Sequence, residues 1–212
     1  MKANESGIPE AVVRRLPKYY KLLTDLQSEG IKKVSSGTIS ERLHLTASQV
    51  RQDLSHFGGF GLQGYGYNVE TLRDEVKSIL GLTREYNVVV VGVGRIGHAI
   101  ANYRGFAKHG MRVTAVFDIN TDGIRVPDGV EIYDVSELSE YAKTHSVDIL
   151  VITTREGPCE EIANVAKECK IPAIWNFAHK EIFPTDDTAV ENINLNDSLF
   201  ALTYMMNNKG KQ

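Results

Sequence analysis

The stretch Asn87-Val-Val-Val-Val-Gly-Val-Gly-Arg-Ile-Gly97 decides the fold of the larger part of this chain. Its consecutive valines form a short apolar run of the kind found in buried strands, and the run leads directly into Gly-x-Gly-x-x-Gly. The first glycine of such a motif permits a tight turn, the second lets the backbone approach a pyrophosphate, and the third allows a helix to pack closely on the strand. The pattern therefore predicts a strand, a turn and a helix that bind a dinucleotide.

An acidic residue stands at the distance that this motif requires for a ribose. Asp118 follows Gly97 by 21 residues and comes directly after the next apolar run. A carboxylate at this position accepts hydrogen bonds from ribose hydroxyls and repels a 2′-phosphate. The next arginine along the chain is Arg125. The sequence therefore favours NAD(H) over NADP(H) as the cofactor.

Strands and helices alternate around this motif. Apolar runs at 88–91, 113–117, 148–152 and 173–175 are separated by helical patterns at 96–108, 135–145 and 157–169. This order predicts an α/β domain with a Rossmann-like, doubly wound parallel sheet, whose ligands bind at the carboxyl ends of the strands. The predicted cofactor contacts are Gly92, Val93, Gly94, Arg95, Ile96, Gly97, Asp118, Thr153, Thr154, Arg155, Asn176 and Phe177.

The residues before this domain predict a helix-turn-helix. An apolar helical period covers residues 9–29, although Pro17 interrupts it. Capping residues precede two shorter helical stretches, at 39–43 and 46–57, and Thr46-Ala-Ser-Gln49 matches a capping box. Two short helices joined by a tight turn form a helix-turn-helix, whose second helix enters the major groove of DNA.

The glycine-rich residues 58–67 predict a hairpin, which would complete a winged helix. The sequence predicts three groups of DNA contacts. The residues expected to contact base edges are Ser48, Gln49, Arg51 and Gln52. Those expected to contact phosphates are Arg15, Lys18, Ser35 and Ser36, and those expected to contact DNA from the wing are Phe60, Gln63, Gly64 and Tyr65.

The charge distribution agrees with an anionic partner for the N-terminal part. Residues 1–60 carry nine Lys or Arg and six Asp or Glu, a net +3, which leaves −6 for the rest of a chain whose total is −3. A solvated helical surface would produce the same asymmetry about as often. The chain has no apolar run long enough for a membrane span and no signal-peptide pattern at its N-terminus, so we expect a soluble, cytoplasmic protein.

The chain divides into three predicted parts: a DNA-binding domain at 1–85, an NAD(H)-binding domain at 86–194 and a C-terminal helix at 195–212. The last part places Leu195, Leu199, Leu202 and Met206 on one helical face. Such a face either covers the sheet of its own domain or packs onto a second subunit. Cys159 and Cys169 have a spacing that suits neither a metal pair nor a disulfide, and we predict no metal site.

Several motifs, in order along nearly the whole chain, resemble the bacterial redox-sensing repressor family Rex. They are Pro9-Glu-Ala, Leu16-Pro-Lys-Tyr-Tyr20, Ser35-Ser36, Gln49-Val-Arg-Gln-Asp-Leu-Ser55, Phe57-Gly, Gly64-Tyr-Gly-Tyr67, the glycine motif, Asn176-Phe177-Ala178 and Val190-Glu-Asn192. The resemblance implies a homodimer that binds an inverted-repeat operator and exchanges its C-terminal helix between subunits. It also implies that NADH releases the DNA, whereas NAD+ competes with NADH and permits binding.

Individual positions of the resemblance carry further expectations. A tyrosine of the first helix of the Rossmann domain lies near the nicotinamide in this family, and Tyr103 matches it. Some members place an arginine and an aspartate where this chain has Lys21 and Asn194, and others have an arginine in the wing where this chain has Gln63. The charged contact of the switch and the operator preference are therefore expected to differ here.

Two other classes of function remain open at this stage. The histidines are scattered and no residue is placed as a general base, so we predict no catalytic residue. A small NAD-dependent oxidoreductase with an N-terminal dimerisation domain would turn over a substrate and would not bind DNA. A regulatory module that binds a nucleotide or coenzyme A would not respond to an operator.

Overall fold

A computed structural model describes residues 8–57, 61–62 and 66–209. The chain forms two compact units, Met1–Arg84 and Glu85–Gln212, which are called unit 1 and unit 2 below. No helix within these described ranges is long and apolar enough to cross a membrane.

Unit 1 begins with two helices where the sequence predicts a single helix. These are α1 (Glu10–Val13) and α2 (Leu16–Ser28). Pro17 lies in the first turn of α2. Proline lacks an N–H group and is tolerated in the first turn of a helix but not in its interior, so the break before α2 places Pro17 where it costs least.

The predicted helix-turn-helix is formed by α3 (Ser36–Leu43) and α4 (Ala47–Ser55). Ser35 caps α3 by accepting a hydrogen bond from the Thr38 N–H at 3.0 Å. Thr46 caps α4 by accepting one from the Gln49 N–H at 3.1 Å. Between the helices, His44 adopts a left-handed conformation with φ of 53°, which turns the chain sharply. The two caps fix where the helices begin, and the turn at His44 separates them, as a helix-turn-helix requires.

A small antiparallel sheet and a further helix complete unit 1. The sheet contains β1 (Lys33–Val34), β2 (Gly61–Leu62) and β3 (Gly66–Asn68) in the order β1-β3-β2, and α5 (Val69–Ile79) follows it. Strands β2 and β3 pair on either side of residues 63–65, which agrees with the predicted wing. The core under these elements is formed by Leu16, Tyr19, Leu23, Leu26, Ile39, Val50, Leu54, Val69, Leu72 and Val76.

Unit 2 is a parallel sheet of six strands. The strands are β4 (Tyr86–Val91), β5 (Met111–Asp118), β6 (Glu131–Asp134), β7 (Ile149–Ile152), β8 (Ala173–Asn176) and β9 (Ala189–Asn192). Their order is β6-β5-β4-β7-β8-β9, and every pair is parallel. This is the doubly wound order, in which the direction of winding reverses between β4 and β7 and leaves a crevice at their carboxyl ends.

The two strands that the sequence analysis missed, β6 and β9, are at the edges of this sheet. Their sequences, Glu-Ile-Tyr-Asp and Ala-Val-Glu-Asn, contain few apolar residues and are mostly exposed. An edge strand is buried on fewer sides than a central one, so it lacks the apolar run by which β4, β5 and β7 were recognised.

The helices α6 (Arg95–Ala101), α7 (Leu138–Thr144) and α8 (Glu156–Glu168) pack against the sheet. Short 3-10 turns occupy Ala107–His109 and Val135–Glu137. The predicted helix at 96–108 was too long. The helix ends at Ala101, because the next residue, Asn102, has left the helical conformation with φ of −95° and ψ of 2°.

The C-terminal helix α9 (Leu195–Asn207) does not cover the sheet of its own unit. None of its residues is buried, and Leu199, Phe200, Tyr204 and Met205 are between 55% and 71% exposed. Of the two alternatives that the sequence left open, packing onto its own sheet is therefore wrong for this chain.

Candidate dinucleotide and DNA sites

The glycine turn between β4 and α6 has the geometry of a phosphate cradle. Gly92 has φ of +91°, a conformation that residues with a side chain rarely adopt. A Cβ atom on Gly97 would lie 1.9 Å from the Gly92 carbonyl oxygen, so helix and turn approach too closely for any other residue. At Gly94 none of the described residues comes within 4 Å of the same position, and none of their side chains caps α6. The turn is closed against the protein and open towards the crevice, which fits a pyrophosphate.

Asp118 is fixed against this turn at the end of β5. Its Oδ2 accepts a hydrogen bond from the Val93 N–H at 2.5 Å, and its Oδ1 accepts one from the Asn120 N–H at 3.1 Å. Each carboxylate oxygen has two lone pairs and can accept a second hydrogen bond. The side chain is half-buried, so the ribose role that the sequence predicts for it is sterically available.

Two cavities flank the glycine turn, and Gly94 and Asp118 line both. The larger cavity, of about 750 Å³, is also lined by Arg95, His98 and Arg125. The smaller, of about 510 Å³, lies over the switch point of the sheet and brings together predicted residues from three strand ends. These residues are Gly92, Gly94, Asp118, Thr153, Thr154 and Arg155.

Residues that the sequence analysis did not single out also line these cavities. Ile119 and Val135 follow β5 and β6, and Pro158 and Ile162 belong to α8. Ile119 comes directly after a strand, which is a signal that could have found it. The helical residues Pro158 and Ile162 carry no such signal, because their place beside the crevice depends on how α8 packs.

A third cavity, of about 540 Å³, is almost wholly apolar and is called the aromatic cavity below. It is lined by Arg95, Ile96, Ala99, Ile100, Tyr103, Phe106, Trp175, Phe177 and Leu195. Its rings meet edge to face, with centroid distances of 4.8 Å from Tyr103 to Phe106, 6.0 Å from Phe106 to Trp175 and 4.6 Å from Trp175 to Phe177. Tyr103 is 60% exposed at the rim and follows the end of α6, so its expected place on the first helix of the domain was wrong.

Asn176 requires a correction, because its side chain does not face the crevice. The sequence predicts it as a cofactor contact, but it has no exposed surface. Its Nδ2 donates to the Lys180 carbonyl and to Asn192 Oδ1, each at 2.8 Å, and its Oδ1 accepts from the Ala178 N–H at 3.0 Å. The next residue, Phe177, does line a cavity. The sequence reasoning identified the right strand end, but of the two residues that it assigned there only Phe177 lines a cavity.

On unit 1, the helix α4 presents Ser48, Arg51 and Gln52 at its exposed face. Arg51 Nη1 donates to Ser36 Oγ at 3.3 Å, which joins the start of α3 to α4. Lys18 and Ser35 are also exposed. The predicted wing contacts Phe60, Gln63, Gly64 and Tyr65 lie outside the described residues.

Two of the predicted DNA contacts point instead at a buried carboxylate. Asp53 has no exposed surface, and Arg15 binds both of its oxygens at 2.7 Å. Gln49 Nε2 donates to Asp53 Oδ1 at 2.8 Å, and the Tyr19 hydroxyl donates to Oδ2 at 2.8 Å. Arg15 and Tyr19 thus join the start of α2 to α4, whereas Gln49 donates to the same carboxylate from within α4. We call Arg15, Tyr19, Gln49 and Asp53 the Asp53 cluster.

The cluster perturbs the titration of its members. Burial alone would raise the pKa of Asp53, but the hydrogen bonds from Arg15, Gln49 and Tyr19 outweigh it and the net shift is downwards. Burial, followed by the hydrogen bond to Asp53, raises the pKa of Tyr19 well above its usual range. Asp53 is therefore charged and Tyr19 neutral at physiological pH.

Two protein-family models match the chain, one in its N-terminal part and one in its C-terminal part. The family model described as "Putative DNA-binding protein N-terminus" matches residues 7–55, and the model described as "CoA binding domain" matches residues 83–180.

Curated relatives match over nearly their full length. Two of them, one from Clostridium novyi and one from Clostridioides difficile, are named redox-sensing transcriptional repressor Rex. The first is 42% identical over 95% of this chain and 96% of the relative. The second is 45% identical over 94% and 96%, respectively.

Solved structures show the same arrangement of elements. RSP in complex with β-NAD+ and operator DNA has a TM-score of 0.89 and 40% identity, and the match covers 95% of this chain and 94% of RSP. RSP in complex with β-NADH has a TM-score of 0.86 and 38% identity, and covers 95% of each chain. The fold thus recurs in RSP over nearly the whole length of this chain.

Proposed function

This chain belongs to the Rex family of redox-sensing transcriptional repressors, and from that premise we propose that NADH binding to unit 2 releases operator DNA from unit 1. The single observation that carries the proposal is the presence of a helix-turn-helix and a dinucleotide cradle in one chain whose relative RSP was solved with NAD+ and operator DNA. We propose that the operator is an inverted repeat read by a homodimer in the cytoplasm.

In the proposed NAD(H) site, the turn from Gly92 to Gly97 binds the pyrophosphate and Asp118 accepts hydrogen bonds from the adenosine ribose. Thr153, Thr154 and Arg155 border the path of the dinucleotide across the switch point. The aromatic cavity, with Tyr103 at its rim and Phe177 inside, is the proposed nicotinamide end. The carboxylate of Asp118 favours NAD(H), because a 2′-phosphate at this position would be repelled.

NAD+ and NADH differ by one charge on the nicotinamide ring, which is cationic when oxidised and neutral when reduced. The residues of the aromatic cavity expose almost only carbon atoms, with Arg95 as a charged residue at the lining. Transfer of a cation from water into such surroundings is unfavourable, whereas a neutral ring is accepted. We therefore expect NADH to bind more tightly than NAD+. Equal affinities for the two forms would contradict this assignment.

Release of DNA follows from linkage. If NADH and the operator favour different arrangements of the protein, each weakens the other by the same factor. A coupling free energy of about 3 kcal/mol would weaken operator binding about 150-fold. NAD+ must bind both arrangements with nearly equal affinity, because a ligand without a preference shifts no equilibrium.

The proposed homodimer rests on α9. Its leucines, aromatic residues and methionines are exposed in a single chain, and apolar faces of this kind mark protein interfaces. A second copy of the chain, with its own α9, is the proposed cover. Replacing Leu199 and Leu202 with glutamate should therefore give a monomer by analytical ultracentrifugation.

The deciding experiment measures affinity for an inverted-repeat duplex, selected from a library, at fixed salt. The complex is titrated with NADH and, separately, with NAD+. We expect release by NADH and retention with NAD+. A chain that selects no duplex, or that ignores both cofactors, would favour the alternative of an NAD-dependent oxidoreductase with an N-terminal dimerisation domain.

A further inference from the structure

Asn176 and Asn192 join the ends of two neighbouring strands beside the aromatic cavity. They are paired in register on β8 and β9, and the Asn176 Nδ2 donates to Asn192 Oδ1 at 2.8 Å. The second Nδ2 hydrogen of Asn176 is taken by the Lys180 carbonyl, and its Oδ1 accepts from the Ala178 N–H. Every polar group of this buried amide is used within the protein, so it acts on structure rather than on a ligand.

Asn192 extends the connection to the far end of the loop at 177–182. Its Oδ1 accepts from the Ile182 N–H at 3.1 Å, and its Nδ2 donates to the Ile182 carbonyl at 2.9 Å. The Asn176 side chain binds the same loop at Ala178 and Lys180. The loop is therefore attached to both strand ends by side-chain hydrogen bonds, rather than held by its own backbone alone.

These strand ends lead to the two elements that meet in the aromatic cavity. On one side, the loop begins with Phe177, whose N–H donates to the Ile152 carbonyl at 2.8 Å. On the other side, the Ile193 N–H donates to the Asn176 carbonyl at 2.7 Å, and Asn194 then caps α9. The first residue of α9, Leu195, lines the same cavity as Phe177.

We propose that Asn176 and Asn192 are positioning residues that make Phe177 and the first turn of α9 respond together to the nicotinamide. The amide pair transmits the cofactor's redox state from the aromatic cavity to α9 and thus to the subunit arrangement. The proposal rests on the function proposed above. It predicts that breaking the pair uncouples NADH binding from DNA release while both binding steps survive.

The test uses Asn192→Ala in the full chain. Asn192 is exposed on an edge strand, so the substitution creates no cavity in the core. The measured quantity is the operator Kd in saturating NADH divided by the operator Kd without it. We expect this ratio to fall about tenfold from its wild-type value, with NADH and operator affinities each close to wild type when measured alone. Asn164→Ala, the same change on the exposed side of α8, should leave the ratio unaltered.

Asn192→Asp provides a second variant. It keeps the acceptor for Asn176 and for the Ile182 N–H but removes the donor to the Ile182 carbonyl, so we expect an intermediate ratio. If Asn192→Ala does not fold, this variant decides. A folded Asn192 variant with the wild-type ratio would overturn the inference, because a merely structural role changes stability and not coupling. A wild-type protein without a response to NADH would instead contradict the proposed function.

Discussion

Replacing Asp53 with asparagine should destabilise unit 1 by several kcal/mol. The carboxylate is fully buried and accepts hydrogen bonds from Arg15, Tyr19 and Gln49 at 2.7 to 2.8 Å. Asparagine offers one oxygen and places an NH₂ group where the second acceptor is needed, so at least one donor loses its partner. Removing one member of a buried ion pair costs about 3–5 kcal/mol. Because the Arg15 side chain is 25% exposed and can be partly solvated, we expect a value near the lower end.

The assay is urea unfolding followed by two signals. The chain contains one tryptophan, Trp175, which lies in unit 2, so its fluorescence reports that unit, while far-ultraviolet circular dichroism also reports the helices of unit 1. With a slope of about 1–3 kcal/mol per M, a loss of about 3 kcal/mol lowers the unit 1 midpoint by at least about 1 M. The fluorescence transition should not move. Glu29→Gln is the matched control, because its pair with Arg42 is exposed and worth about 1 kcal/mol or less.

The pH dependence of the same comparison tests the cause. The pKa of Asp53 is lowered in the folded protein, since the hydrogen bonds from Arg15, Gln49 and Tyr19 outweigh the effect of burial. Such a group stabilises the folded state fully above its unfolded pKa of about 3.9, and the contribution is lost as pH falls through the folded pKa. The difference between wild type and variant should be full at neutral pH and shrink in acid below about pH 4. A difference under about 1 kcal/mol at neutral pH, or one unchanged in acid, would refute the reasoning.

Three further outcomes are expected. Gly97→Ala should weaken NADH binding, measured by calorimetry, by about tenfold or more (about 1.4 kcal/mol), because the new Cβ would lie 1.9 Å from the Gly92 carbonyl oxygen; an unchanged Kd would contradict the cradle. Asp118→Ala should blunt release of the operator by NADH but leave operator binding intact in gel-shift titrations, and loss of DNA binding in the folded variant would contradict this separation of roles. Arg51→Ala should reduce the discrimination between operator and mismatched duplexes by about 1–3 kcal/mol, whereas Lys18→Ala should weaken binding to all duplexes equally and lower the slope of log affinity against log salt by about one. Equal effects of the two substitutions on discrimination would count against our assignment.

Local sequence was sufficient wherever the physical signal is local. The valine run and the glycine spacing predicted β4, the turn and the start of α6, because each depends on residues adjacent in the chain. Thr46 likewise marked the start of α4, since a cap needs only a side chain and an N–H group three residues later. The predicted start of the preceding helix at residue 39 was three residues late, because Ser35 caps α3. The edge strand β9 was missed because its residues are too polar to stand out from a loop.

Tertiary structure alone decided which polar side chains face a ligand and which face the protein. Arg15 and Gln49 were predicted to contact DNA, but Arg15 meets Asp53 across 38 residues of sequence, a distance that no local pattern spans. Asn176 was predicted to contact the cofactor, but its partner Asn192 lies on the neighbouring strand β9. The sequence by itself determined the four inner strands of the sheet, the glycine cradle and the helix-turn-helix, because backbone preferences and apolar periodicity act over a few residues. The direction of a polar side chain depends on partners that only the folded chain brings within hydrogen-bond distance.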